Sequence, residues 1–373
     1  MRLQDVSLVS TPVVAGVVQA ISAAEEDMPM DISNVTVATR LGYTAFDLVE
    51  LEDNVKSALY NAGNTCYLNS LLHVVARVDS LRQWFQEHLV RSQNAHSWQT
   101  CSLCAIAQDV NRLCIDVETT PFVPHIVHSR GLWSHGEFNN SEQQDVTETV
   151  RLLFDSLNTV DERSMLASNA RAFDGVSGVA SRYTTPMWRL MEMSFESRLH
   201  CTSCNEMVIQ KERLFSVPLE LPDEACTVEL LLANHWGNQP EGDDPFVCPA
   251  ERPCGAPAAG TVLKTCVPTG WPKVLVISLK RFRFRFLHGR PFTEKVDTQL
   301  SFETLLPICH MEQPYHLRGV IEHHGGQADG GHSTAYVRAV DNYWYYCDDE
   351  RPPLRVHTDT VLTAQAYVLV YEK

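Results

Sequence analysis

The stretch "NAGNTCYLNSLLH", residues 61–73, places Cys66 among a glycine, a threonine and three asparagines where the chain turns apolar. Leu68, Leu71, Leu72 and Val75 follow at helical spacing, so Cys66 falls at a helix N-terminus. Asn64 or Thr65 suits the cap of that helix. The positive end of the helix dipole favours thiolate, the nucleophilic form of cysteine. A thiolate nucleophile also needs a base to carry its proton and a third group to orient the base. With fifteen histidines in the chain, number alone selects none of them. Context selects one: "GGHSTAYVRAVDNYWYYCDDE" sets His332 behind two glycines at the mouth of one strand, with Asp348 and Asp349 closing the next. A hairpin of those strands brings the His332 ring beside one of the two carboxylates. Taken singly, Cys66 reads as a core thiol and His332 as a satisfied loop histidine.

Two further cysteine pairs have metal-ligand spacing. Cys201 and Cys204, in C-T-S-C, can hold one zinc from a tight turn. Cys101 and Cys104 open the apolar run "CAIAQDVNRLCI", which reads as a helix with both thiols on its packed side, hence as core thiols. Twelve cysteines in 373 residues are too sparse for a disulfide framework and point to a reduced, cytoplasmic or nuclear setting. The net charge of −16 disfavours nucleic acid as a partner and suits a basic protein or peptide. "LKRFRFRFLHGR" looks like a basic-aromatic patch, but its alternation is that of a half-exposed strand, so the nucleic-acid reading is rejected. "TPVVAGVVQAISAAEE" is read as a helix of an N-terminal region, and no apolar run reaches the length of a membrane span.

Around these residues the pattern is helical between about 60 and 160 and strand-like after 195. In "NSEQQDVTETVRLLFDSL", Ser141 with Gln144 fits a capping box, and Val146, Val150, Leu153 and Leu157 form an apolar stripe. "SFESRLHCTSCNEMVIQKERLFSVPLEL" reads as two strands joined by a cysteine-bearing turn, and "KVLVISLKRFRFRF" as one continuous strand. "YHLRGVIEHH", "HSTAYVRAV", "YWYYCDD" and "AYVLVYEK" follow as further strands. Helices first and strands later make the class α+β.

"NAGNTCYLNSLLH", "SEQQDVTETVRLLFDSL", "LKRF" and "GVIEHHGGQADGGHSTAYVR…WYYCDD" occur in the order of the ubiquitin-specific proteases, and the chain resembles that family of cysteine deubiquitinases from about residue 56 onward. The resemblance implies a papain-like α+β fold of thumb, palm and fingers. Residues 1–54 would be a variable N-terminal region and 55–373 the catalytic domain, with thumb about 55–165, fingers about 195–268 and palm the remainder. It implies hydrolysis after the C-terminal glycine of ubiquitin through an acyl-enzyme, with ubiquitin and ubiquitinated proteins as partners. Alternatives are a dormant ubiquitin-binding scaffold or a protease for a ubiquitin-like modifier. Carried over by position, Cys66 is the nucleophile, His332 the base and Asp348 the third member, with Asp349 as alternative. Asn61 matches the oxyanion-binding side chain; its plain alternative is a turn residue. Asp145, in "QQD", matches a contact to ubiquitin's arginine-containing tail, or simply stabilises a helix N-terminus. The family's four-cysteine fingers site would be completed by Cys248 and Cys254 of "CPAERPC", with Pro249 and Pro253 shaping the longer turn, and would hold structural zinc. Two positions depart from the family: Ser333 stands where Tyr usually follows the histidine and lines the passage for the Gly-Gly end, and Thr149 where Phe is usual.

Overall fold

The computed structural model describes residues 55–92, 97–115, 120–134, 138, 142–169, 185–239, 247–249, 254, 262–287, 290–308, 311–327 and 330–373. The N-terminal helix expected within 1–54, Ser141 of the capping box, and Pro253 lie outside the described residues.

Helix α1, Cys66–Val75, is buried on every residue, as befits a helix that is apolar nearly all round. It is wedged between the helical layer and the main sheet. The helical layer comprises α2 (Asp79–Arg91), α3 (Ser102–Ile115), two single turns α4 (His125–His128) and α5 (Arg130–Trp133), and the long α6 (Val146–Asn169). The capping box does not form: α6 begins at Val146, after Gln144, and its first turn is capped by Asp145, whose Oδ1 accepts the Thr147 N–H at 2.6 Å. An acid one residue before the helix start satisfies an orphan N–H that a more distant serine would leave open. Thr149 is buried and its hydroxyl donates to the Asp145 carbonyl, a packing role.

After α7 (Pro186–Met191) the chain turns to strands. β1 (Met193–Cys201) and β2 (Met207–Leu214) form the expected cysteine-tipped hairpin. β3 (Val217–Glu220), β4 (Cys226–Thr227), α8 (Val228–His235), β5 (Gly237–Gln239) and β6 (Val262–Gly270) follow. Strands in the order β2-β1-β6-β5 make the four-stranded fingers sheet.

"KVLVISLKRFRFRF" is not one strand. β7 (Val274–Lys280) belongs to the main sheet, whereas β8 (Phe282–Leu287) pairs only with β9 (Arg290–Lys295). Arg281 between them is 1% exposed, and its guanidinium donates to the carbonyls of Ala366 (2.6 Å), Val296 (2.9 Å) and Thr298 (3.1 Å). Three backbone acceptors draw this side chain inward, and the strand breaks there. Phe282 packs on His323 and Tyr367, while Phe286, further along β8, is exposed.

The palm is completed by β10 (Leu300–Ser301), β11 (Leu305–Leu306), β12 (Tyr315–Gln327), β13 (Gly330–Arg338), β14 (Trp344–Asp348), β15 (Arg351–Val356), the short α9 (Thr358–Leu362) and β16 (Ala366–Glu372). Its order is β15-β14-β13-β12-β16-β7-β3, with β11 added against β12; all these pairs are antiparallel except β3 with β7. The apolar side chains of "VLVISLK" and "AYVLVYE" are continuous because both strands are central and covered on both faces. α1 approaches this sheet so closely that a Cβ built on Gly319 of β12 would lie 2.5 Å from Val74 Cγ1.

Candidate active site

The chain before Cys66 is docked onto the turn that follows β14. Leu59 N–H donates to the Asp349 carbonyl at 3.0 Å, and Tyr60 N–H to that of Phe122 at 2.8 Å. From there the loop 61–65 folds around the Asn61 side chain, whose Oδ1 accepts the N–H groups of Gly63 and Thr65, each at 3.1 Å. Gly63 (φ 93°) and Asn64 (φ 54°) both take left-handed backbone, conformations that glycine and asparagine adopt most easily. Thr65 is the N-cap residue, but its hydroxyl accepts the Ala62 N–H at 3.0 Å and does not cap the first turn. Cys66 sits 2% exposed at the positive end of α1.

His332 reaches Cys66 from β13. Its Nε2 hydrogen-bonds to Asp348 Oδ1 at 2.7 Å, as the hairpin argument requires. Hydrogen bonding to Cys66 is the largest influence on the ring, and with the bond to Asp348 it outweighs burial, raising the His332 pKa from 6.5 to about 9. The other Asp348 oxygen accepts Arg351 at 2.8 Å, which holds the carboxylate against rotation. Gly331, at φ 133°, must be glycine: a Cβ there would lie 2.1 Å from the His324 carbonyl oxygen.

Asp349 faces away from this line. Its Oδ2 is 4.0 Å from His332 Nδ1, against 2.7 Å for Asp348 to Nε2, so Asp348 is the better placed orienting group. The Asp349 carboxylate instead accepts Asn61 Nδ2 at 2.7 Å and Asn69 Nδ2 at 2.8 Å. Burial raises its pKa above 3.8, opposed by the bonds from Asn69 and Asn61. An amide nitrogen carries two hydrogens, so Asn61 can hold Asp349 with one and keep the other for a reacting oxygen.

Three neighbours were not evident as partners from sequence. Gln143 places its Nε2 3.7 Å from Cys66 Sγ. Asn69, one helical turn past Cys66, braces Asp349; a polar residue inside an apolar run was the available signal. His324 lies opposite His332 across the hairpin, its ring 6.4 Å away and 26° from parallel, and hydrogen-bonded to Thr334 at 2.8 Å. Asp145 is already engaged by Thr147 on one oxygen and the Tyr367 hydroxyl on the other. Oδ1 already accepts both the N–H and the hydroxyl of Thr147, so it is Oδ2, beside the Tyr367 hydroxyl, that keeps a lone pair for an arginine. Ser333 is 2% exposed beneath the site, opposite His323, with no partner for its hydroxyl oxygen.

The four fingers cysteines converge, with every sulfur within 4.8 Å of the others. The Cys201–Cys254 and Cys204–Cys248 sulfurs are each 3.7 Å apart. A tetrahedral zinc with bonds of about 2.3 Å requires S···S edges of about 3.8 Å, so the longer C-x5-C turn still meets the geometry. Residues 250–253 within that turn lie outside the described ones.

A helical thumb, a β palm, β fingers and a cysteine–histidine–aspartate line between thumb and palm define a papain-like cysteine peptidase fold. A family model of ubiquitin carboxyl-terminal hydrolases matches residues 57–371, and the chain belongs to that family. It is 25% identical over 331 residues to ubiquitin carboxyl-terminal hydrolase 25 of Arabidopsis thaliana, covering 84% of this chain and 47% of the relative. It is 26% identical over 322 residues to mouse ubiquitin carboxyl-terminal hydrolase 17-like protein D, covering 84% and 54%. The chain thus spans about half the length of these curated relatives. Among solved structures, the SAGA DUB module of Ubp8, Sgf11, Sus1 and Sgf73 bound to monoubiquitin matches with a TM-score of 0.66 at 20% identity, over 86% of this chain and 70% of that one. The same module bound to ubiquitin aldehyde matches at 0.64 and 19%, over 86% and 71%.

Proposed function

We propose that the protein is a thiol-dependent deubiquitinase that cleaves the isopeptide or peptide bond after the C-terminal glycine of ubiquitin. The observation that carries this reading is the pairing of His332 with Asp348 at 2.7 Å on the palm, with Cys66 close enough to raise the pKa of the ring. The Cys66 sulfur attacks the glycine carbonyl, and the C=O electrons move to oxygen to give a tetrahedral oxyanion. The free N–H of Asn61 and backbone N–H groups at the start of α1 receive that charge, a contribution of about 3 kcal/mol per preorganised donor. His332 gives its proton to the leaving amine as the C–N bond breaks, leaving a thioester. Water, deprotonated by His332, then displaces the Cys66 sulfur and restores the ion pair. Asp348 and Arg351 keep the ring in place, and Asp145 binds the arginine-bearing tail of the substrate. Zinc at Cys201, Cys204, Cys248 and Cys254 would tie the fingers hairpin together and take no part in hydrolysis.

Ser333, where the family usually has Tyr, supports a second substrate reading, a ubiquitin-like modifier, since a smaller side chain there would alter the passage for the Gly-Gly end. A ubiquitin probe with a C-terminal electrophile tests both. It is expected to label Cys66 and not Cys66→Ala, which should still bind ubiquitin. Labelling only by a modifier probe would move the substrate assignment. Absence of labelling by either, in folded protein, would leave a binding scaffold.

A further inference from the structure

Beside the line of Cys66, His332 and Asp348, the β12–β13 hairpin buries a second polar pair that the proposed hydrolysis does not use. His323 and Ser333 lie directly opposite each other across the two strands, 4% and 2% exposed. Both His323 ring nitrogens and the Ser333 hydroxyl are without a hydrogen-bond partner among the described residues. The Gly330 backbone exerts only a minor pull on a ring proton. Buried polar groups are almost always paired, so unpaired atoms on both members of one cross-strand pair need a reason.

Their surroundings supply one. The His323 ring stands against Phe282 and Tyr367, with centroids 5.4 and 5.8 Å away. The Tyr367 hydroxyl bonds Asp145, the carboxylate assigned to the substrate's arginine, and Ser333 directly follows His332. On another side the ring lies close to Gly331, where a Cβ would come within 3.0 Å of its Cε1 and Nε2. The pair therefore stands between the arginine site and the proposed nucleophile, along the stretch that the end of the substrate must cross. Cys66 is itself 2% exposed, so this passage is closed at rest, and a tail that parts it to reach the thiol passes the pair as well.

We propose that His323, together with Ser333, is a specificity-determining residue that hydrogen-bonds the backbone of the substrate's Gly-Gly end. This rests on the deubiquitinase reading above. Burial, and then the charge on Lys295, lower the pKa of His323, so the ring is neutral, with one N–H to donate and one nitrogen to accept. The Ser333 hydroxyl can do both. A peptide unit offers one N–H and one carbonyl, so the pair matches an extended backbone and not a charged side chain. Lys295 Nζ donates to the His323 carbonyl at 2.8 Å, which fixes β12 at this residue.

Hydrolysis by the full chain tests this, using a fluorogenic substrate of ubiquitin, or of whichever modifier's electrophilic probe labels the parent. His323→Leu keeps bulk and removes both polar atoms. Its KM should rise about tenfold with kcat within about threefold of the parent, as for bonds made equally in ground and transition states. Its urea midpoint should stay level or rise, since unpaired buried polar atoms have been removed. His323→Gln, which keeps a donor and an acceptor, should recover most of the KM. Should His323→Leu not fold, Ser333→Ala decides, with KM expected to rise about threefold. A ring that merely props Gly331 and His332 would instead give a lower kcat and a lower midpoint, without rescue by glutamine, and that result overturns the proposal. So does an unchanged KM in folded His323→Leu or, in its place, Ser333→Ala. If no probe labels the parent, the deubiquitinase reading fails and this inference with it. A labelled, active parent with an indifferent His323→Leu defeats this inference alone.

Discussion

Asp349→Asn separates the carboxylate that orients His332 from the one that holds Asn61. Asp349 has φ 46°, and asparagine accepts left-handed backbone readily, so the substitution leaves the turn intact and removes only charge and one acceptor. Its two oxygens now receive Asn61 at 2.7 Å and Asn69 at 2.8 Å. In the variant one amide keeps a neutral acceptor and the other faces an NH2 group. A charged bond reduced to a neutral one plus one unsatisfied buried donor costs about 2–4 kcal/mol, lessened by the relief of burying a carboxylate. Urea denaturation should therefore show a net loss of about 2 kcal/mol. Hydrolysis of a fluorogenic ubiquitin substrate should lose about a hundredfold in kcat with KM little changed, because removing one oxyanion donor costs about 10²–10³-fold. Asn61→Ala should cause a similar loss, and the two together little more than either alone, since they disable one device. A kcat within about threefold of the parent, less than 1 kcal/mol of barrier, would refute the bracing role. Fully multiplicative losses would show that Asn61 and Asp349 act separately.

The pKa of about 9 on His332 predicts that kcat/KM falls on the alkaline side near that pH. Because the folded-state value is raised from 6.5, the stability the ring contributes is complete below 6.5 and is lost as pH rises through about 9. Asp348→Asn should move the alkaline limb to lower pH, and an unmoved limb would contradict the assignment. Gly319→Ala should cost about 1–3 kcal/mol in urea denaturation, partly recovered by Val74→Ala; a neutral result would mean that α1 can retreat from the sheet. Cys204→Ser should lower the melting temperature while leaving kcat near the parent value, and loss of kcat in folded protein would implicate the fingers in chemistry.

The line from Cys66 through His332 to Asp348 was legible because each member sits in a local pattern: a helix start, a glycine-rich hairpin and a strand end. The bracing line from Asn61 through Asp349 to Asn69 was not, because it depends on the backbone sign at Asp349, which no periodicity encodes. Strand patterns located β12, β13, β14 and β16 well, since alternation and β-branched content are local properties. They failed at Arg281, where three carbonyls distant in sequence decide the side chain's direction. The start of α6 was misplaced for a related reason: Ser and Asp are both good caps, and pattern alone did not choose between Ser141 and Asp145.

The position of β16 bears on when the proposed site can first be complete. It lies between β12 and β7 in the palm, the last of the described strands inserted at the middle of the sheet. During synthesis the helices carrying Cys66 leave the ribosome long before this strand, and β12, whose hairpin presents His332, lacks one neighbour until residues 366–372 arrive. Thumb helices can collapse early through local contacts, but the palm closes only on a late, long-range pairing. A nascent chain would therefore present Cys66 without its finished partner, and the proposed site would be complete only after residue 372 has emerged.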